Sequence, residues 1–316
     1  MFENKSVSVV IPAHNEEKLI LRVLTTLPKW VDRIFVVDDF SSDRTAEIVR
    51  EYQQKDTRVE LCQHKENRGV GAAICTGYKA SLLKGCDIAV VMAGDAQMDP
   101  KDLPDIVRPV AVDGVDYAKG NRLFHGEAWH MIPRYRYFGN ASLSLLTKIA
   151  GGYWHVADSQ CGFTSISADA LKSVDLDAVY PRYGMPNDLL VKLNISNRTV
   201  RDVPIRPVYD IGERSGIRLT RVIITISRLL VRCFFDRLVQ KYVIRDFHPL
   251  VFFYVLGLIA FPAGTLTGIY LFLFRIFSGP VAVTSALFSV FLMITGLQFL
   301  LFAMWFDMES NKHLKG

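Results

Sequence analysis

The chain has 316 residues and a formal net charge of +5, with 50% hydrophobic and 22% charged residues. That length holds one α/β domain of ordinary size plus something extra, and a slightly positive mean hydropathy beside so many charges argues against a wholly soluble domain. Cys62, Cys75, Cys86, Cys161 and Cys233 are scattered, odd in number and without a C-x-x-C pair, which argues against structural zinc and for reduced thiols.

Ser6 to Pro12 is a short β-branched run ending at proline, and Glu16 to Leu27 then has helical spacing. Arg33 to Val37 reads as a second strand running into Asp38 and Asp39, with Ser41 to Thr45 as a polar turn opening a helix through Tyr52. Val59 to Gln63 is a third strand, followed by a glycine-rich turn at Asn67 to Gly71 and a helix to about Leu83. A fourth strand, Asp87 to Met92, ends at Ala93, Gly94 and Asp95. Asp99 before Pro100 reads as a helix-start residue. Alternating strands and helices predict a mostly parallel sheet with ligands at the carboxyl ends of the strands, where the acidic and glycine residues fall. The pattern alone leaves a nucleotide-binding α/β domain, and the absence of G-x-G-x-x-G after the first strand weighs against a dehydrogenase.

The composition changes towards the end of the chain. Between Arg214 and Asp246 stand Arg214, Arg218, Arg221, Arg228, Arg232, Arg237, Lys241 and Arg245 against Asp236 and Asp246. At 100° per residue the first five share a narrow stripe while Arg237, Lys241 and Arg245 project from the opposite side, which predicts two interfacial helices on anionic headgroups, broken near Cys233 to Asp236. Pro249 to Phe274 and Ile276 to Phe306 carry no charged side chain, and each exceeds the roughly 20 residues a helix needs to cross a bilayer. With Arg275, Ser278, Gly279 and Pro280 as the turn, they predict a transmembrane hairpin. The basic residues before it and Lys312 and Lys315 after it place both termini in the cytosol by the positive-inside rule. No charged start followed by an apolar run opens the chain, so the head is expected to stay cytosolic, at a cell inner membrane or an endoplasmic reticulum membrane. The expected division is a head at 1–212, basic juxtamembrane helices at 213–247, two spanning helices at 248–307 and a tail at 308–316.

Six segments carry a resemblance: VVIPAHNEE (Val9 to Glu17), VVDDFSSDRT (Val36 to Thr45), NRGVGAAICTGY (Asn67 to Tyr78), VVMAGDAQMDP (Val90 to Pro100), KGNR (Lys119 to Arg122) and DSQCGF (Asp158 to Phe163). In order and spacing they resemble family 2 glycosyltransferases of the GT-A fold, most closely the polyprenyl-phosphate, dolichol-phosphate mannose synthase-like branch. The resemblance implies a Rossmann-like GT-A catalytic domain, followed here by the amphipathic helices and the hairpin. It also implies that Pro12, His14, Glu16 and Asp39 contact the nucleotide, where carboxylates suit ribose hydroxyls or base N–H groups. Asp95 and Gln97 stand at the family's D-x-D site for Mg²⁺ or Mn²⁺, with Ala93 where the first aspartate usually lies. Arg122 and Arg136 match the arginines that hold the acceptor phosphate, with Asn140 where a serine is usual and Arg134 as a neighbouring candidate. Asp158 and Gln160 would line the space between donor and acceptor.

The reaction the resemblance implies moves a sugar from a UDP- or GDP-sugar onto dolichyl or undecaprenyl phosphate in one inverting displacement. Asp188, where related enzymes with hydroxyl acceptors keep a carboxylate, is assigned an ordering or base role beside its reading as a helix-start residue. A glycosyltransferase extending a glycan hydroxyl, with Asp188 as base, is the alternative enzyme. A catalytically impaired membrane scaffold is the alternative of another class, raised by Ala93. The expected partners are the nucleotide-sugar, the polyprenyl phosphate and membrane lipids, with no nucleic acid; a homo-oligomer is compatible with a head on a two-helix anchor.

Overall fold

The structure, a computed structural model, describes residues 1–123, 134–206 and 219–316, and of 134–142 and 219–223 the backbone alone. It divides into two compact units, Met1–Phe235 with His313–Gly316, and Asp236–Lys312.

The first unit is built on a seven-stranded sheet. In chain order its elements are β1 (Val7–Ala13), α1 (Ile20–Thr26), β2 (Arg33–Asp38), α2 (Thr45–Gln53), β3 (Val59–Gln63), α3 (Val70–Leu83), β4 (Ile88–Val91), α4 (Leu103–Ala111), β5 (Tyr117–Asn121), α5 (Arg134–Gly151), β6 (Thr164–Ser167), α6 (Ala168–Lys172), α7 (Met185–Ile195), β7 (Val200–Pro204) and α8 (Leu219–Val239), whose last residues belong to the second unit. The strand order is β3-β2-β1-β4-β6-β5-β7. The β1–β2, β2–β3, β1–β4 and β5–β7 pairs are parallel, and β6 lies antiparallel to both β4 and β5. The sheet is therefore mixed and mostly parallel, as the alternation of elements predicts.

Central strands covered by helices on both faces read as continuous apolar runs, and every residue of β1 is buried. On one face Val9, Ile11, Ile34 and Val90 meet α1 and α4 through Ile20, Val23, Leu24, Ile106 and Val107. On the other, Val10, Val37 and Val91 meet α3 and α7 through Ala73, Ile74, Tyr78, Leu189 and Leu193. Gly77 is forced by this packing: a Cβ there would lie 2.1 Å from Val10 Cγ1. Asp99 opens a short 3₁₀ turn at Pro100–Asp102, its side chain accepting from Lys101 N at 2.9 Å, as its place before Pro100 predicts.

Residues His313–Gly316 belong to this same unit. Leu314 is buried among the core residues of the α3 and α7 face, a gain of about 1.5–3 kcal/mol by area. Lys315 forms a parallel bridge with Val200, and Gly316 N donates to Val200 O at 3.2 Å. All five cysteines are free thiols.

Helix α8 departs from the sequence reading. Leu219–Val239 contains neither glycine nor proline and runs without the break expected near Cys233 to Asp236. In the first unit Ile226 and Leu230 pack on Ala150 of α5, while Ile224, Arg228, Val231 and Phe235 are exposed. One face is thus held by the unit itself and the other presents apolar and basic side chains together.

In the second unit α8 continues into a π-helical turn, Gln240–Arg245, followed by α9 (Leu250–Phe277) and α10 (Val283–Ser310). Both long helices are apolar and long enough to cross a membrane, and most of their side chains are exposed. Close contacts pair Gly257 with Leu300, Gly264 with Met293 and Phe261 with Gly296, and Ser289 Oγ donates to Gly264 O at 2.8 Å. Partners descend one helix as they ascend the other, the register of an antiparallel hairpin held by small residues. At its base Arg237 binds Asp307 twice, at 2.7 and 3.1 Å; Tyr242 Oη donates to Asp307 Oδ1 at 2.6 Å, and Lys241 Nζ to Asn311 Oδ1 at 2.8 Å. Arg237 and Asp307 are 1% and 0% exposed. The placing of Arg237 and Lys241 on headgroups is therefore corrected: both are buried and paired. Arg214 and Arg218 lie outside the described residues, as does the side chain of Arg221.

Candidate active site

The carboxyl ends of β1, β2 and β4 converge because the three strands are parallel neighbours. Asp39 N donates to Ala13 O at 2.9 Å and Gly94 N to Pro12 O at 3.2 Å, which brings all three turns to one edge. Pro12 is buried within β1, and its carbonyl is what meets Gly94. The first two turns are stitched together by Glu16 N donating to Thr45 Oγ1 at 2.8 Å, Glu17 N to Asp43 Oδ2 at 3.1 Å and Ser42 N to Asn15 Oδ1 at 2.8 Å.

His14 is exposed, but its ring is fixed. Nδ1 lies 2.8 Å from the Asp39 carbonyl and so carries the hydrogen, leaving Nε2 to accept from Asn15 Nδ2 at 3.2 Å. The ring is thereby held in one orientation at the exposed edge. Asp39 is buried and engaged: its carboxylate accepts from His64 Nδ1 at 2.7 Å, Arg68 N at 2.9 Å and Gly69 N at 2.7 Å. Burial raises its pKa, but the His64 and backbone hydrogen bonds more than offset this and hold it below the ordinary carboxylate value. His64 in turn lies 2.9 Å from Thr76 Oγ1 of α3. Asp39 thereby pins the Asn67–Gly71 turn, in which Gly69 has φ +96° and a Cβ would strike Pro181 O at 2.6 Å.

In the third turn Asp95 Oδ1 accepts from Gln97 N at 3.1 Å, which sets the direction of its carboxylate. Ala93 N points at Met98 Sδ, 3.2 Å away, so an apolar side chain sits beside Ala93. Half-buried Glu16 is pushed up to about 7 by burial and then by the charges of Asp95 and Asp43. A carboxyl whose proton affinity is raised by neighbouring carboxylates at a shared edge marks a place where a cation would be welcome. Among the described residues no three His, Cys, Asp or Glu side chains form a metal-holding group.

Beyond β5, Arg122 and Asp158 form a paired unit: Arg122 Nε donates to Asp158 Oδ2 at 2.8 Å and Nη2 to Oδ1 at 3.2 Å. Asp158 is 0% exposed; burial pushes its carboxyl up, and the Arg122 charge with its hydrogen bonds more than offsets this, holding it low. Gln160 N also donates to Asp158 Oδ1, at 3.2 Å, so one carboxylate orients the arginine and shapes the DSQ turn. Asp188 lies in the first turn of α7 and is tied down by Lys192 Nζ at 2.7 Å and by Tyr180 N at 2.8 Å. Neighbouring Asn187 meets Gln160. The side chains of Arg134, Arg136 and Asn140 lie outside the described residues; their backbone positions fall in α5, N-terminal to Ser144 and Thr147.

Three contributors are absent from the sequence-based set. His64 stands one residue past β3, at the carboxyl edge where ligands gather, and that position was its signal. Lys119 is fully buried and donates to the Cys161 carbonyl, and burial lowers its pKa. Asp202 accepts from Asn121 Nδ2 and Ala157 N, both at 2.7 Å. Lys119 opens the KGNR segment, in which the resemblance gives it no role, and nothing local in the sequence marks Asp202.

Residues 8–175 match the family model described as Glycosyl transferase family 2. The chain belongs to that family. Among relatives of this glycosyltransferase, the UDP-N-acetylglucosamine–dolichyl-phosphate N-acetylglucosaminyltransferase of Methanococcus voltae is 32% identical over 234 residues, covering 70% of this chain and 92% of that protein. The undecaprenyl-phosphate mannosyltransferase of Micrococcus luteus is 28% identical over 228 residues, covering 70% and 93%. A crystal structure of glucosyl-3-phosphoglycerate synthase from Mycobacterium tuberculosis with Mn²⁺ and UDP-glucose superposes with a TM-score of 0.53 at 22% identity, over 74% of this chain and 79% of that one. The shared fold is that of GT-A enzymes.

Proposed function

We propose that this glycosyltransferase moves a sugar from a nucleoside-diphosphate sugar onto a polyprenyl phosphate at a membrane surface, inverting the anomeric configuration. The observation that carries the reading is the state of the carboxylates. Asp188 is held by Lys192 and Tyr180 N, and Asp158 by Arg122, so neither is offered as a base. A sugar or glycan hydroxyl needs its proton removed, whereas a phosphate monoester, with a second pKa of about 6, is already an anionic nucleophile. It needs a cation to orient it, and Arg122, braced by Asp158, supplies a planar guanidinium of fixed direction. Two relatives named for transfer onto a polyprenyl phosphate support the same reading.

The geometry supports the following roles. The face of His14 and the Asn67–Gly71 turn pinned by Asp39 receive the nucleotide, with Pro12 and Glu16 beneath. Asp95 and Gln97, with Glu16 adjacent, are the residues that would hold Mg²⁺ or Mn²⁺. Held there, such an ion would neutralise charge on the departing diphosphate. Arg122, with Arg136, Asn140 and Arg134 of α5, takes the acceptor phosphate, and Gln160 lies between the reactants. Asp158 and Asp188 act as braces.

The apolar hairpin of α9 and α10 anchors the enzyme, and the exposed Ile224, Arg228, Val231 and Phe235 face of α8 suits a headgroup layer. Residues Leu314 and Lys315, packed on the catalytic unit just after α10, support a topology in which head and tail share the cytosolic side.

The test incubates detergent-purified protein with Mg²⁺ or Mn²⁺, a panel of UDP- and GDP-sugars and undecaprenyl phosphate, with mass spectrometry of the lipid. A polyprenyl monophosphosugar is expected from one donor. No lipid product from any donor, with sugar appearing on a glycan hydroxyl instead, would overturn the reading.

A further inference from the structure

Behind the DSQ turn lies a buried polar seam that the proposed chemistry does not use. Thr147 and Ser144 of α5, Ser159 of the turn and Asn187 of α7 are each at most 3% exposed. Thr147 Oγ1 shares its one hydrogen between Leu143 O at 2.8 Å and Asn187 Oδ1 at 3.1 Å, and Ser144 Oγ and Ser159 Oγ are 3.2 Å apart. Gln160 closes the seam: its Nε2 donates to Asn187 Oδ1 at 2.9 Å and to Ser159 Oγ at 2.8 Å. Both hydrogens of its amide are thereby spent, and Oε1 has no hydrogen-bond partner among the described residues. Asn187 Nδ2 is buried without a partner among them as well. A leucine would fill this place in α7 without burying an unsatisfied amide, so packing gives no reason for asparagine here. What asparagine supplies is Oδ1, and Oδ1 is spent on Gln160 and Thr147.

We propose that Asn187 is a positioning residue for sugar transfer, holding the Gln160 carboxamide so that its Oε1 accepts a hydrogen bond from the donor sugar. This rests on the reading that Gln160 lies between the reactants. A glutamine side chain has three rotatable bonds, and anchoring its amide from the rigid frame of α7 removes the freedom that would otherwise be lost on binding. The edge left over decides which reactant it meets. A carbonyl oxygen attracts a sugar hydroxyl or amide N–H and repels a phosphate oxygen, so Gln160 faces the donor sugar, while Arg122 faces the acceptor phosphate.

The test is a double-mutant cycle of Asn187→Ala and Gln160→Ala, with initial rates measured on undecaprenyl phosphate and whichever of UDP-N-acetylglucosamine, UDP-glucose and GDP-mannose turns over. Gln160→Ala is expected to lower kcat/KM for the donor by about 10- to 100-fold, and Asn187→Ala by about 5- to 10-fold, with the acceptor KM unchanged. The double variant should be no worse than Gln160→Ala, because Asn187 acts only through that side chain. Losses that multiply in the double variant would overturn the proposal, as would a rise confined to the acceptor KM, which would put the amide NH₂ against phosphate. A Gln160→Ala enzyme as active as the wild type would instead refute the placing of Gln160 between the reactants. The same cycle run with Thr147→Val decides the question if Asn187→Ala does not fold, with a loss of about 2- to 5-fold that disappears in the Gln160→Ala background.

Discussion

Asp188→Asn separates a base from a brace. In the brace reading the substitution keeps the acceptor for Tyr180 N and removes the charge that Lys192 meets at 2.7 and 2.8 Å. Asp188 is 6% exposed but Lys192 is 25% exposed, so the lysine can turn to water rather than stay buried and uncompensated. The cost should then fall below the roughly 3–5 kcal/mol of breaking a fully buried pair and near the ~1.5–3 kcal/mol of a charged hydrogen bond. About 2 kcal/mol in a unit of this size is an apparent melting shift of roughly 4–8 °C. Turnover per folded molecule should stay within about twofold of wild type, whereas loss of a general base costs roughly 10²- to 10⁴-fold. The assay pairs a thermal melt in detergent with initial rates at saturating donor and acceptor, corrected for folded fraction. A fall in kcat of a hundredfold or more with an unchanged melt would rule out the brace and make Asp188 the base.

Arg122→Lys replaces a bidentate fork by a point charge and leaves buried Asp158 half-paired; the acceptor KM should rise by about 10-fold or more, and unchanged acceptor kinetics would remove Arg122 from the phosphate site. Metal-free, Glu16 keeps its proton up to about 7 in the folded protein, against an ordinary value of 4.5. The folded state then binds more protons than the unfolded chain between those values, so stability falls as pH rises from 4.5 through 7. Melts in EDTA should show that slope and Glu16→Gln should flatten it; equal slopes would show that Glu16 ionises freely. His64→Phe removes the Asp39 and Thr76 bonds, so it should cost about 1–3 kcal/mol and raise the donor KM several-fold while sparing the acceptor KM. A donor KM equal to wild type would mean that the Asn67–Gly71 turn does not depend on this anchor.

The edge that carries the candidate site was legible because β1, β2 and β4 are β-branched runs that stop at polar or glycine residues, and parallel neighbours bring such stops together. The hairpin was legible for the same reason, as long uncharged runs allow few other structures. Antiparallel β6 was not: Thr164–Ser167 is four residues long, and its place between β4 and β5 depends on partners far away in the chain. Lys119 reads as an ordinary strand lysine until β6 and β7 close around it. The run of basic residues misled at Arg237 and Lys241, because their partners Asp307 and Asn311 come 70 residues later. Asp39 shows the same limit at the site itself. Its position at the end of β2 was plain, but its grip on the Asn67–Gly71 turn appears only with β3 paired alongside.

The most direct measurement offers one active donor to undecaprenyl phosphate and to undecaprenol, the same chain ending in a hydroxyl. Sugar is expected on the phosphate alone, because Arg122 needs an anion to hold and neither Asp158 nor Asp188 is offered to deprotonate an alcohol. Glycosylated undecaprenol at a comparable rate would contradict it.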